Sequence, residues 1–339
     1  MFKPSAIYYE KGISEYELGN QLITKYKQLG VPFYEIENHN NIEELRKNPN
    51  TEFVNMKQLL IFGTRKTHKY VENQKVSDYL VPYTSSGCSA MCLYCYLVCH
   101  YNKCSYLRLF VNREQMMQKL IRTANKAIEP LTFEIGSNSD LVLENTITGN
   151  LPWTIEEFSK SEKGFITFPT KFDMIDDILH CNHRDRVIVR MSVNPSEIIQ
   201  MVELKTSPLK NRIQAMNKLH EAGYRIGILI APVIFLDNWK ELYHQLIEQL
   251  FYELSEEVKK VVFFEVIFMT YSYVHRMINE DAFPSERYPN IPNLYEKDKM
   301  TGRGMGKYMY RHEIRQEGEA FFRAELNRYF TNNTLLYIV

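Results

Sequence analysis

A chain of 339 residues that is 45% hydrophobic can bury the core of one large α/β domain with a smaller accessory region. Lys plus Arg and Asp plus Glu both number 41, so the formal net charge is zero. That excludes a globally basic nucleic-acid coat, and any polyanion site has to be local. Six cysteines in a chain this long do not suggest a disulfide scaffold. Met1-Phe2-Lys3-Pro4-Ser5 lacks the charged and apolar regions of an export signal, and no apolar run is long enough to span a bilayer. The expectation is a reduced, cytoplasmic protein with no membrane partner.

Residues 1–75 read as a small α/β region. Ala6-Ile7-Tyr8-Tyr9 is a strand. Ser14 is placed to cap a helix reaching Leu29, with Tyr16, Leu18, Leu22 and Tyr26 at helical spacing and Gly30 as its stop. Val31–Ile36 and Leu59–Phe62 are further strands, with a short helix expected between Asn38 and Asn55. The basic run Arg65-Lys66-Thr67-His68-Lys69 reads either as a solvated face or as a phosphate contact.

Next comes the apolar segment Tyr79–Thr84, followed by Gly87-Cys88-Ser89-Ala90-Met91-Cys92-Leu93-Tyr94-Cys95-Tyr96. Its cysteines are separated by three and then two residues. Soft thiolates at this spacing suit an iron–sulfur cluster or zinc. Three ligands on a cubane cluster leave one iron open, and an open iron can bind the amino and carboxylate groups of S-adenosylmethionine. A structural zinc site instead wants a fourth ligand, which Cys99, His100 or Cys104 could provide. The local motif leaves both readings open.

After the cysteine loop, helices and strands alternate. Helices are predicted over 112–128, 155–161, 172–179, 209–222 and 236–254. Strands are predicted over 131–135, 164–168, 186–193, 224–233 and 261–268. Counting from the segment before the cysteines, about six βα repeats make a parallel sheet covered by helices. The predicted fold is a partial (β/α)6 TIM-type barrel over residues 76–269, with its ligand site at the C-terminal strand ends. Residues 270–339 form a C-terminal extension with a helix from His312 to Phe330. It contains Gly302-Arg303-Gly304-Met305-Gly306-Lys307-Tyr308-Met309-Tyr310-Arg311, a glycine-rich, basic and aromatic segment that suits a hairpin. Such a segment reads as an ordinary exposed turn or as a nucleic-acid contact.

Taken together, these features resemble the spore photoproduct lyase family of radical-SAM enzymes, over nearly the whole chain. The matching residues include Tyr94-Cys95-Tyr96-Leu97, Tyr106-Leu107-Arg108, Phe133-Glu134 and Ser139-Asp140. Thr170-Lys171-Phe172, Ala222-Gly223-Tyr224, Ala231-Pro232 and Gly306-Lys307-Tyr308 match as well. The resemblance implies a DNA repair lyase that returns the thymine lesion of ultraviolet-irradiated spore DNA to two thymines. It implies a [4Fe–4S] cluster on Cys88, Cys92 and Cys95, and S-adenosylmethionine held by Ser139, Lys171 and Ser192. It places Tyr94 and Tyr96 in hydrogen return, and Arg303 and Lys307 on the DNA side of the hairpin. The implied partners are lesion-bearing DNA and a one-electron donor of flavodoxin or ferredoxin type. The rivals are a related radical-SAM enzyme with another nucleotide substrate, and a non-catalytic zinc module that binds nucleic acid.

One departure matters. The family places a hydrogen-donating cysteine after the Phe-Glu strand, and Ser137 stands there in Phe133-Glu134-Ile135-Gly136-Ser137-Asn138-Ser139-Asp140. An alcohol O–H bond is much stronger than a thiol S–H bond, so serine is a poor donor to a carbon radical. The explanations are another thiol (Cys99 first, Cys104 next), an engineered replacement, or a different substrate. Gly304, where the family often carries an aromatic, is a second departure.

Overall fold

The computed structural model describes residues 3–95, 97, 106–283, 295–297, 307–331 and 333–339. The chain falls into two compact units. One comprises Met1–Ser89, Leu97–Phe168 and Asp176–Ile188; the other comprises Ala90–Tyr96, Pro169–Ile175 and Val189–Val339.

In the first unit, strand Ala6–Glu10 pairs in parallel with Phe33–Ile36 on one side and Leu59–Gly63 on the other. Leu107–Phe110 adds in parallel beyond Leu59–Gly63, and Ser85–Ser86 closes the sheet antiparallel to it. Ile7, Leu60, Phe62, Leu107 and Leu109 form a core with Leu18, Leu22 and Tyr26 of helix Glu17–Gln28. That helix buries the stripe that its spacing predicted. Ser14 does not cap it: Ser14 lies in a preceding 3-10 turn, Ile13–Glu15, and the N-cap residue is Tyr16.

The same unit holds Tyr79–Leu80, Thr132–Glu134 and the first part of Phe165–Thr170, paired in parallel. Helix Arg113–Lys126 follows the expected pattern. The expected 155–161 helix is longer, Asn150–Ser159, and is preceded by an unexpected helix, Leu141–Thr148. Asp140 caps Leu141–Thr148 by accepting from the Val142 and Leu143 amides at 3.1 Å.

The second unit carries the later strands, ordered Leu335–Ile338, Phe263–Phe268, Arg225–Val233, Val187–Val193. Strands Phe165–Thr170 and Val187–Val193 each have residues in both units. Six strands, from Tyr79–Leu80 to Phe263–Phe268, thus follow one another in chain order, with α-helices in every connection except that between Phe165–Thr170 and Val187–Val193. The expected helix over 172–179 is absent apart from a 3-10 turn at Asp176–Ile178. Side chains take its amides instead: Phe172 donates to Thr170 Oγ1 and Asp173 to Ser207 Oγ, both at 3.1 Å. Strand Leu335–Ile338, helix Ser196–Val202 and helix Glu256–Val261 had not been expected.

Of the segment expected as a hairpin, Gly302–Arg311, residues 307–311 are described. Tyr295–Lys297 and Lys307–Tyr310 pair antiparallel, and Lys307–Tyr310 also pairs with Thr270–Ser272. Helix His312–Tyr329 follows. No helix among the described residues is long and apolar enough to cross a membrane.

Candidate active site

In the second unit the cysteine loop is fastened through its backbone. Met91–Cys92 forms a short antiparallel ladder with Glu203–Leu204, and the Leu93 amide donates to Val202 O at 2.9 Å. Asn279 Nδ2 donates to Leu93 O at 2.5 Å, and His275 Nδ1 lies 2.7 Å from Cys95 O. The Cys95 amide turns back to Cys92 O at 3.2 Å. Cys92 is buried and Cys95 half-buried. The loop's shape is therefore set by main-chain bonds from three separate elements.

The ladder places Glu203 beside the loop. Its fully buried carboxylate accepts from Tyr94 Oη at 2.5 Å, Lys171 Nζ at 2.9 Å and Asn194 Nδ2 at 2.9 Å on Oε1. Oε2 takes Arg212 Nη2 at 2.7 Å. Burial on its own would raise the Glu203 pKa. Lys171 and Arg212, helped by the Tyr94 and Asn194 bonds, outweigh it and hold the carboxyl at about 2. Burial first, and the Glu203 charge second, push the Tyr94 phenol well above its usual value.

Arg212 has no solvent contact. Beyond Glu203 it donates to Ser207 O, Ser192 O and Thr206 Oγ1, each at 2.8 Å. Lys171 has three N–H donors, and three acceptors surround it: Ser192 Oγ at 2.6 Å, Ala231 O at 2.8 Å and Glu203. Ser192 Oγ in turn donates to Ala231 O at 3.0 Å. Among the described residues, Lys171 and Arg212 share the Glu203 carboxylate beside the cysteine loop. A ligand carboxylate would complement this pair of cations.

In the first unit, Cys88 is buried, and its carbonyl accepts from Lys57 Nζ at 2.7 Å. Gly87 has φ of +83°, and a Cβ there would lie 2.2 Å from Tyr106 O, so only glycine fits. The Gly87 amide donates to Asn138 O at 2.8 Å, which ties the cysteine loop to the segment bearing Ser137 and Ser139. Ser139 is buried with its hydroxyl on Ser85 Oγ. Among the described residues no three His, Cys, Asp or Glu side chains are gathered as a metal site. The fit of a cluster therefore rests on the donor set itself, three thiols within eight residues.

Tyr96, Cys99, Cys104, Arg303 and Gly304 lie outside the described residues. Lys307 is half-buried in its strand opposite Ser272. Cys181 stands apart; burial, with Glu156 and Asp177 nearby, raises its thiol to about 11. Glu203, Arg212, Asn194 and Lys57 were missed from sequence. Arg212 had left a signal, a charge on the apolar stripe Leu209, Ile213, Met216 of helix Leu209–Glu221.

A family model described as spore photoproduct lyase matches residues 2–339. The chain belongs to the spore photoproduct lyase family. The lyase of Bacillus subtilis (strain 168) is 30% identical over 342 residues, covering 99% of this chain and 98% of that one. The lyase of Geobacillus sp. (strain Y412MC61) is 28% identical over 338 residues, covering 99% and 98%. A solved cysteine-to-serine mutant of spore photoproduct lyase superposes with a TM-score of 0.92 at 28% identity, covering 100% of this chain and 99% of that one. A lyase structure with bound AdoMet and dinucleoside spore photoproduct gives 0.91 at 27% identity, with the same coverage. The resemblance drawn from sequence, the partial-barrel fold and the radical-SAM lyase class are thus borne out, and the zinc module is set aside.

Proposed function

We propose that this chain reverses the spore photoproduct, 5-thyminyl-5,6-dihydrothymine, to two thymines, with a [4Fe–4S] cluster and S-adenosylmethionine as cofactors. The observation that carries the reading is the three-cysteine loop latched onto Glu203 beside Lys171, within a chain that its family matches end to end. When bound, the cofactor pair supplies a 5′-deoxyadenosyl radical that takes a hydrogen atom from the lesion and is later restored.

Cys88, Cys92 and Cys95 hold the cluster. Lys171 and Ser192 hold the methionine carboxylate end of the cofactor, with Ser139 as a further contact. Because three acceptors already surround Lys171, cofactor binding exchanges one of its bonds, from Ser192 or Ala231, for the new carboxylate. Glu203 and Arg212 position Lys171 and the loop without touching substrate. Tyr94 is oriented for hydrogen return by its bond to the ionised Glu203 carboxylate. Tyr96 shares that role, and Cys99 replaces the thiol that Ser137 lacks. Arg303 and Lys307 grip the DNA, where a damaged step is cheaper to unstack than an intact one. The partner supplying electrons is a flavodoxin- or ferredoxin-type protein. The compartment is the cytoplasm, whose reducing conditions suit unpaired thiolates.

The test is anaerobic. The reconstituted protein receives S-adenosylmethionine, a strong reductant and a synthetic spore-photoproduct dinucleotide, and products are followed by liquid chromatography and mass spectrometry. Thymine-dinucleotide release is expected. Cofactor cleavage with no lesion reversal would transfer the chain to another nucleotide substrate. In the same assay Cys99→Ala should raise abortive adducts, and an unchanged product distribution would remove Cys99 from the scheme.

A further inference from the structure

Ser85 and Ser86 are neighbours on one short strand, so their side chains face opposite sides. Ser85 meets Ser139. Ser86, 1% exposed, lines a cavity of about 270 Å³, and its hydroxyl has no hydrogen-bond partner among the described residues. A buried hydroxyl without a partner costs stability unless something else occupies the site.

The cavity's charged wall is Arg65, Lys66 and Arg108, against the single carboxylate of Glu10. That carboxylate is already surrounded by donors. Oε1 accepts from the His39 amide at 2.9 Å, with His39 Nδ1 at 2.7 Å; Oε2 accepts from the Thr64 amide at 2.9 Å and hydroxyl at 3.3 Å. The arginines are held in place: Arg65 lies 3.8 Å over the Phe110 ring and donates to Tyr83 O at 2.9 Å, and Arg108 donates to Asn40 Oδ1 at 3.1 Å. Lys66 is exposed and makes no hydrogen bond or ion pair with a described residue. Gly63 lets the cavity floor close, since a Cβ there would lie 2.8 Å from His39 Nδ1 and 3.0 Å from Glu10 Oε2.

The location agrees with the charge. Glu10, Asn38–Asn40 and Arg65–Thr67 sit at or just past the carboxyl ends of the parallel strands Ala6–Glu10, Phe33–Ile36 and Leu59–Gly63. Ligands of open α/β sheets bind at that edge. Fixed guanidinium groups, an exposed ammonium and a buried hydroxyl make a donor set for a tetrahedral oxyanion.

We propose that this cavity is a phosphate-binding site, taking either a backbone phosphate of bound DNA or the phosphate of a free nucleotide-class anion. It stands on geometry separate from the lesion chemistry. Its serine wall runs through Gly87 into Cys88, so occupancy would brace the strand that leads to the cysteine loop.

The test uses the full chain and two probes. In ³¹P NMR, inorganic phosphate should broaden on addition of wild-type protein. Lys66→Glu should weaken that binding at least tenfold and Ser86→Ala several-fold, whereas Lys69→Glu, an exposed neighbour outside the cavity, should leave it intact. In a labelled-duplex titration over a salt series, a DNA source predicts weaker binding by Lys66→Glu and Ser86→Ala. It also predicts a salt slope lower by about 1 for Lys66→Glu. A free-anion source predicts that both variants bind duplex as wild type while losing inorganic phosphate. Wild-type behaviour of both variants toward both probes overturns the site, as does equal loss from Lys69→Glu, which would mark general surface charge.

Discussion

Tyr94 and Glu203 lie 109 residues apart and share a hydrogen bond of 2.5 Å. Through it the cysteine loop is joined to the carboxylate that also holds Lys171 and Arg212. Glu203→Gln would leave two cations beside a neutral amide in a fully buried site. Breaking one side of such a network costs about 3–5 kcal/mol. The Glu203 pKa of about 2 lies below its ordinary value of 4.5. Its stabilisation is therefore complete above pH 4.5 and lost as pH falls through about 2. Urea unfolding at neutral pH should show the loss, and the variant should have a flatter acid limb than wild type. Equal stability and equal acid profiles would remove Glu203 as the hub.

Glu144 predicts the opposite pH dependence. It is buried on helix Leu141–Thr148, where Thr84 Oγ1 donates to Oε2 at 3.3 Å and Oε1 finds no partner among the described residues. Burial raises its pKa to about 7, against weaker lowering by Ser85, Thr84 and Asn150. Below pH 4.5 both folded and unfolded chains carry the neutral acid. From there upward the unfolded chain ionises first, so the folded state loses stability until pH passes about 7. At about 1.4 kcal/mol per pKa unit, the loss is about 3 kcal/mol. Glu144→Gln should match wild type at pH 4 and exceed it at pH 8 by about that amount in denaturant titrations. A constant offset across pH would refute the assignment.

Legibility followed range. The cysteine loop was readable as a soft-ligand motif because its thiols are close in sequence, though only the family resemblance favoured iron–sulfur over zinc, and helix Leu209–Glu221 was readable because its apolar stripe is periodic. Ser85–Ser86 and Met91–Cys92 are two-residue strands, too short for any period to show, yet they fasten the loop at both ends. Glu203 has no local motif; its role appears only when Tyr94, Lys171 and Arg212 converge on it from distant elements. The 172–179 segment misled because its apolar spacing suits a helix. The Ser207 and Asn211 bonds that hold Asp173 come from more than thirty residues away.

Gly87 and Gly30 separate strain from crowding. Both have positive φ, +83° and +67°, but only Gly87 faces an obstacle, with Tyr106 O 2.2 Å from where a Cβ would sit. Gly30→Ala should cost about 1 kcal/mol, the usual left-handed penalty. Gly87→Ala should cost about 2–4 kcal/mol, because backbone must move as well. It should also lower iron and sulfide content after anaerobic reconstitution, since the displaced residue precedes Cys88. Similar melting temperatures and cluster loading for the two variants would contradict the crowding.

Lys57 is 3% exposed, lies 5.3 Å over the Phe53 ring and spends a hydrogen bond at 2.7 Å on the Cys88 carbonyl. With Cys88 as a ligand of the proposed cluster, a buried cation held this close would favour the more negative, reduced cluster, because local charge and hydrogen bonding set such potentials. Lys57→Met keeps most of the side chain's volume and removes both the charge and the donor. The reconstituted variant should have a more negative reduction potential by anaerobic redox titration, read through the electron paramagnetic resonance signal of the reduced cluster. A structural role alone would lower thermal stability and leave the midpoint in place. An unchanged midpoint in a folded, fully loaded variant would assign Lys57 to packing.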